Sequence, residues 1–247
     1  MLRFFILLTF IINLNASTIN VALASNITYA IPQLVKEFKE QYPNIKVKTT
    51  ISGSGKLTAQ IKHNAPYDIF MSANMKYPQN LYKTGYTEKK PKIYAKGKLA
   101  LLSYKEYDFL NIKDLLESNN IKKIAIANPK LAPYGKAAIE VLKTLNIYET
   151  IKNKIVFAQN ISQTLLYTLN VTDIGIVALS SLKSDKLKKY KENKNYIQID
   201  SKLYTPISQG IVLLKRSKNI DDAKKFYNFI LSNKAKNIFK NYGYDVL

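Results

Sequence analysis

Thr50-Ile51-Ser52-Gly53-Ser54-Gly55-Lys56-Leu57-Thr58-Ala59-Gln60 joins a β-branched run, Val47 to Ile51, to a segment with Leu57, Ile61 and Ala65 at helical spacing. The pattern predicts a strand, a Ser/Gly turn and a helix in immediate succession. The first turn of a helix carries N–H groups with no intrahelical partner and the positive end of the dipole. Small glycines and serine hydroxyls beside those groups let an anion approach closely. This junction is therefore expected to form half of an anion seat, with Ser54 as a donor.

The same unit recurs along the chain. Ile19 to Ala24 reads as a buried strand, Ser25-Asn26 as its turn, and Thr28 to Gln41 as a helix with Pro32 in its first turn. Tyr67 to Ser72 and Lys98 to Leu102 read as further strands. Lys123 to Ala127, a loop ending at Tyr134, and the helix Gly135 to Leu145 repeat the opening pattern, as do Lys154 to Phe157, Ala158 to Ile161 and Ser162 to Leu169. Asp173 to Ala178 and Gly210 to Leu214 read as strands, Ile197 to Ile199 as an edge strand, and Lys183 to Lys194 as a solvated charged segment. Two terminal helices follow from about Asp221 and Lys234, the first capped by Asp221-Asp222. Strand–turn–helix units in series imply parallel α/β sheets. Their ligands lie beyond the carboxyl ends of the strands. Two pairs of turns, near residues 25 and 54 and near 134 and 161, predict two lobes with a cleft between them.

Composition narrows what the cleft can do. The 247 residues are 47% apolar, enough for substantial cores. Residues 1–17, with Arg3, the uncharged run Phe4 to Leu14 and then Ala16-Ser17, have the layout of a cleaved secretory signal peptide. The chain has no cysteine, which excludes disulfides, thiolate metal sites, catalytic thiols and an N-terminal lipid on cysteine. A formal net charge of +21 draws anions, yet only Arg3 and Arg216 are arginines, so the bidentate fork that reads bases is nearly missing. Nucleic acid is not an expected partner.

Catalytic patterns fit poorly. Ser54 lacks a nucleophile elbow, and the single histidine, His63, lies two turns along the same predicted helix, out of reach. Ser180-Ser181-Leu182-Lys183 and Lys83-Thr84-Gly85 match penicillin-binding fragments in the wrong order. Gly53 to Thr58 lacks the first glycine of a P-loop, with Thr50 in its place, and Leu57 follows the lysine where Ser or Thr is required. No metal-ligand cluster is present. The expectation is a non-enzymatic protein with no cofactor, whose anion is held by neutral donors: hydroxyls or amide of Ser25, Asn26 and Ser54, and backbone N–H groups around Tyr134, Gly135, Ile161 and Ser162.

Several segments resemble the periplasmic substrate-binding proteins of molybdate ABC transporters: Val21 to Asn26, Ser52 to Ile61, Asn64 to Ala73, Tyr94 to Leu99, Ala132 to Gly135, Gly175 to Ser180 and Thr205 to Ile207. The resemblance implies a two-lobed type II periplasmic-binding fold, with lobe I from residues 18–97 and 205–247 and lobe II from 98–204. It implies a molybdate or tungstate ligand held as the oxyanion by Ser25, Asn26, Ser54, Tyr134 and Ile161, an inner-membrane ABC permease as partner, and a monomer in the periplasm. Some members place a tyrosine donor where this chain has Ala178; Asn26 is the expected replacement. Lys56 is expected to stay outside the seat, because a lysine would attract any anion. The rival readings are a receptor for sulfate or phosphate and a secreted serine hydrolase.

Overall fold

The computed structural model describes residues 17–246, so the expected leader lies outside the described residues except for Ser17, which opens the first strand. In chain order come β1 (Ser17–Ala24), α1 (Ile31–Gln41), β2 (Ile45–Ser52), α2 (Ser54–Lys62), β3 (Ile69–Ser72), α3 (Lys76–Lys83) and β4 (Lys92–Gly97). They are followed by β5 (Leu99–Leu102), α4 (Ile112–Glu117), β6 (Ile124–Ala127), α5 (Pro133–Thr144), α6 (Tyr148–Ile151), β7 (Ile155–Ala158), α7 (Ile161–Asn170), β8 (Ile174–Ala178), α8 (Leu179–Leu182) and β9 (Tyr196–Gln198). The chain ends with β10 (Ile207–Leu213), α9 (Ile220–Ile230) and α10 (Asn233–Asn241).

The strands form two five-stranded sheets, ordered β2-β1-β3-β10-β4 and β7-β6-β8-β5-β9. The first draws on residues 17–97 and 207–213, the second on 99–198. In each sheet three strands are parallel: β1 with β2 and β3, and β6 with β7 and β8. The expectation of parallel sheets fails for β10, antiparallel to β3 and β4, and for β5, antiparallel to β8 and β9. Crossing between lobes is the cause. β4 runs toward the cleft and continues almost directly as β5, which therefore leaves the cleft against the direction of β8; β9 and β10 repeat this on the return. The crossovers are bonded to their surroundings: Leu99 N–H donates to the Tyr204 hydroxyl at 3.1 Å, and Lys96 and Asp245 exchange two backbone hydrogen bonds of 2.7 and 3.0 Å.

Each lobe has its own apolar core. In the first, Phe38, Phe226 and Phe239 are fully buried among residues of β1, β3 and the terminal helices, with the Phe38 and Phe226 rings edge to face at 4.9 Å. In the second, Leu99, Ile124, Ile126, Val141 and Leu142 fill the space under α5. Two local expectations are corrected. Asp221 and Asp222 lie in the first turn of α9 and do not cap it; Asn219 holds the cap position, and Asp222 accepts from the Ser17 hydroxyl and pairs with Lys225. The Lys183 to Lys194 segment is charged yet buries Leu187 against the second lobe, with Tyr190 packed beside it. The four-residue helices α6 and α8 are too short to leave a periodic signal.

Candidate functional site

The carboxyl ends of β1, β2, β3, β6 and β7 lead into the turns that meet between the sheets. There they enclose a small cavity lined from one lobe by Ser25, Asn26, Gly53, Ser54 and Ala73, and from the other by Ala132, Pro133, Tyr134, Asn160 and Ile161. All five sequence-predicted residues, Ser25, Asn26, Ser54, Tyr134 and Ile161, border it, and each is 5% exposed or less. A water-sized sphere has only ≈ 10 Å³ in which to move there, far below the several hundred Å³ typical of sites for drug-sized organic ligands, so only a small ion or molecule fits. The two walls touch. The Ser162 hydroxyl donates to the Ser25 carbonyl at 2.9 Å and the Ser180 hydroxyl to the Asn26 carbonyl at 3.1 Å, so the cleft is shut.

Donor direction follows from the partners each group already has. Ser54 Oγ accepts the Ala73 N–H at 3.0 Å, which uses its acceptor side and leaves the hydroxyl proton for the cavity. Gly53 is the cap residue of α2, and the N–H groups of Ser54, Gly55 and Lys56 find no acceptor among the described residues; the first intrahelical bond is Leu57 N–H to Gly53 O at 3.0 Å. The Ser25 hydroxyl likewise has no protein partner among the described residues. On the far wall Pro133 occupies the start of α5, two residues earlier than the sequence suggested, so Tyr134 lies inside the first turn. Its N–H is free, whereas the Gly135 N–H is spent on Ala132 O at 3.0 Å and drops out of the expected donor set. At α7, Asn160 caps by accepting from Gln163 N–H at 3.0 Å, leaving the N–H groups of Ile161 and Ser162 unpaired within the described protein.

Asn26 behaves differently from its expected role. Its amide donates to Gln209 Oε1 at 3.0 Å and to the Tyr244 hydroxyl at 3.5 Å, so these protons are not available to replace a tyrosine donor at Ala178. Asn26 still borders the cavity, and its carbonyl accepts from Tyr244 at 2.9 Å. Asn26 Oδ1 and the Tyr94 hydroxyl are buried without a protein partner. Behind the seat, burial pushes the Tyr94 and Tyr134 phenols well above their ordinary range and Tyr244 up to about 12. Every one of these groups is neutral at physiological pH, and Lys56 is exposed and outside the lining. The wall is thus a set of fixed, uncharged donors.

Such a wall has no base. Among the described residues the hydroxyl of Ser54 meets only the Ala73 N–H, and His63 stands exposed past the far end of α2, so the hydrolase reading lacks the base it requires there. Ser180 and Ser181 donate to the carbonyls of Asn26 and Ala178. Among the described residues no group of three or more His, Cys, Asp or Glu could hold a metal ion, and no helix is long and apolar enough to cross a membrane. Sequence reasoning missed Ala73, Asn160 and Gln209; of these only Gln209, a lone amide entering an apolar strand, carried a visible signal.

Two α/β lobes shut over a small cavity of neutral donors define a cleft-binding solute receptor with the periplasmic-binding-protein fold. The chain belongs to the bacterial extracellular solute-binding protein family, whose profile matches residues 19–245, and within it to the ModA-like molybdate-binding proteins. The molybdate-binding protein ModA of Azotobacter vinelandii is 32% identical over 235 residues, 93% of this chain and 90% of that protein. ModA of Rhodobacter capsulatus is 33% identical over 233 residues, 93% and 88% of the two chains. The solved structure of the Azotobacter vinelandii periplasmic molybdate-binding protein superposes with a TM-score of 0.86 at 31% identity, covering 93% of this chain and 99% of the other. Proteins of this kind are transport components and not enzymes.

Proposed function

We propose that this protein is the periplasmic receptor of an ABC transporter that captures molybdate, and tungstate with it, and delivers the oxyanion to an inner-membrane permease. The observation that carries the reading is the bond from Ala73 N–H to Ser54 Oγ, which leaves the hydroxyl proton free to donate at a cavity bordered on its opposite wall by Tyr134 and Ile161, whose N–H groups have no partner among the described residues. A dianion of four oxygens accepts from such donors in every direction. An anion that carries its own proton presents an O–H where only donors wait, and is disfavoured. Molybdate and tungstate have longer metal–oxygen bonds than sulfate, so a seat whose donors are spaced for them holds sulfate loosely. Membership among molybdate-binding relatives supports the same choice of anion.

Closure supplies the transport step. Ser25, Asn26 and Ser54 belong to one lobe and Tyr134 and Ile161 to the other, so an anion bridging them favours the shut form, the state a permease can distinguish from an empty receptor. Residues 1–17 have the layout of a leader that is removed on export, with cleavage near Ala16 or Ser17. Calorimetric titration of ligand-free protein with molybdate, tungstate, sulfate and phosphate tests the reading. Tight, equal stoichiometric binding of the first two and weak binding of the others is expected; sulfate or phosphate binding as tightly as molybdate would overturn it.

A further inference from the structure

Gln209 is fully buried near the start of β10, where the ladder with β4 shifts register between Gln209 and Gly210. A bulge of this kind re-aims a side chain. Here the carboxamide reaches between the lobes: its Oε1 accepts from Asn26 Nδ2 at 3.0 Å in the first lobe, and its Nε2 donates to the Tyr134 hydroxyl at 3.0 Å in the second. The space for that meeting comes from Gly97 at the crossover. A Cβ placed there would lie 2.0 Å from the Tyr134 hydroxyl oxygen and 2.6 Å from Gln209 Nε2, so any side chain at 97 would close the slot through which the phenol passes.

Tyr134 thus faces two ways, with its N–H on the anion cavity and its phenol on Gln209. We infer that Gln209 is a positioning residue of the anion seat, and that its bond to the Tyr134 phenol holds the first turn of α5 and Asn26 in register across the closed cleft. The inference rests on the oxyanion-receptor reading but adds to it, because Gln209 does not border the cavity and the Tyr134 phenol is engaged by the Gln209 amide. It also gives the side chain at 134 a role where the backbone alone would accept any residue.

The consequence is kinetic. A register bond made in the closed form slows reopening, so its loss speeds release of the anion more than it slows capture. Tyr134→Phe removes one oxygen atom, Gln209→Met keeps the side-chain length, and the double variant completes a cycle. Molybdate affinity and dissociation rate are measured on all four full-length proteins, with the unfolding midpoint of each in the absence of ligand. Each single change is expected to raise the dissociation rate about tenfold, the scale of a buried donor left unpaired. The double variant is expected to be no worse than the worse single, because both changes delete the same bond. Unchanged dissociation rates, or effects that simply multiply, would overturn the inference, as would lowered ligand-free midpoints with release unaltered, the mark of a merely structural pair. Wild-type protein that binds no molybdate would overturn the oxyanion reading together with it, whereas normal wild-type binding with unaltered variants would overturn this inference alone.

Discussion

Replacing Ser54 by alanine deletes one atom with two duties. Its Oγ accepts the Ala73 N–H at 3.0 Å and holds its own proton on the cavity, and the residue is 1% exposed. In the ligand-free protein the loss leaves the N–H of Ala73, itself 4% exposed, without its acceptor, a cost of about 1–3 kcal/mol. At about 2–4 °C per kcal/mol for a domain of this size, the unfolding midpoint should fall by about 2–12 °C. With the anion bound, the variant also lacks a hydrogen bond to a charged acceptor, which contributes about 1.5–3 kcal/mol. At 1.4 kcal/mol per factor of ten, the molybdate dissociation constant should rise by about ten- to a hundredfold. Calorimetry on protein stripped of ligand, paired with thermal unfolding, separates the two effects. An unchanged dissociation constant would remove Ser54 from the seat and refute the donor-direction argument, even if the midpoint fell.

Three further outcomes follow from named contacts. Gly135→Ala would set a Cβ 2.0 Å from the Ala127 carbonyl oxygen and 2.6 Å from its carbon, both backbone atoms, so α5 must back away from β6; a loss of about 3 kcal/mol, read as a lower unfolding midpoint, and weakened molybdate binding are expected. The phenols of Tyr94, Tyr134 and Tyr244 keep their protons in the folded protein above the pH at which an unfolded chain releases them, so their stabilisation is full below about pH 10 and is lost as the pH rises beyond it, for Tyr244 through about 12. Denaturant titrations across that range should show falling stability, while molybdate affinity between about pH 6 and 9 stays level because no cavity-lining side chain titrates there. Lys56→Gln should leave the dissociation constant within about threefold, since an exposed charge outside the lining contributes on the order of 0.6 kcal/mol.

Much of the fold is local and therefore legible. The Ser/Gly turn after β2, the asparagine and proline at the helix starts, and the alternation of short apolar strands with helical periodicity are all written in neighbouring residues. That the five residues would border one cavity was legible for the same reason, since they stand at turns that the strand–helix pattern locates. What neighbouring residues do not encode is which way a strand runs after crossing between lobes, and that choice makes β5 and β10 antiparallel. Partner choice at a distance is equally hidden. Asn26 looked like a free donor in its own turn, yet Gln209, 183 positions away, takes its amide. The Gly135 N–H looked available until Pro133 proved to start the helix, which turned that group back onto Ala132.

The central claim is that one oxyanion sits between Ser54 and the starts of α5 and α7. Anomalous diffraction at the molybdenum edge, from crystals grown with molybdate, tests it most directly. The account predicts a single strong peak within the closed cleft, with oxygens at hydrogen-bond distance from Ser54 Oγ and from the backbone N–H groups of Tyr134 and Ile161. A peak seated instead among Lys62, Lys76 and Lys83 in the groove between α2 and α3, with the cleft empty, would contradict it.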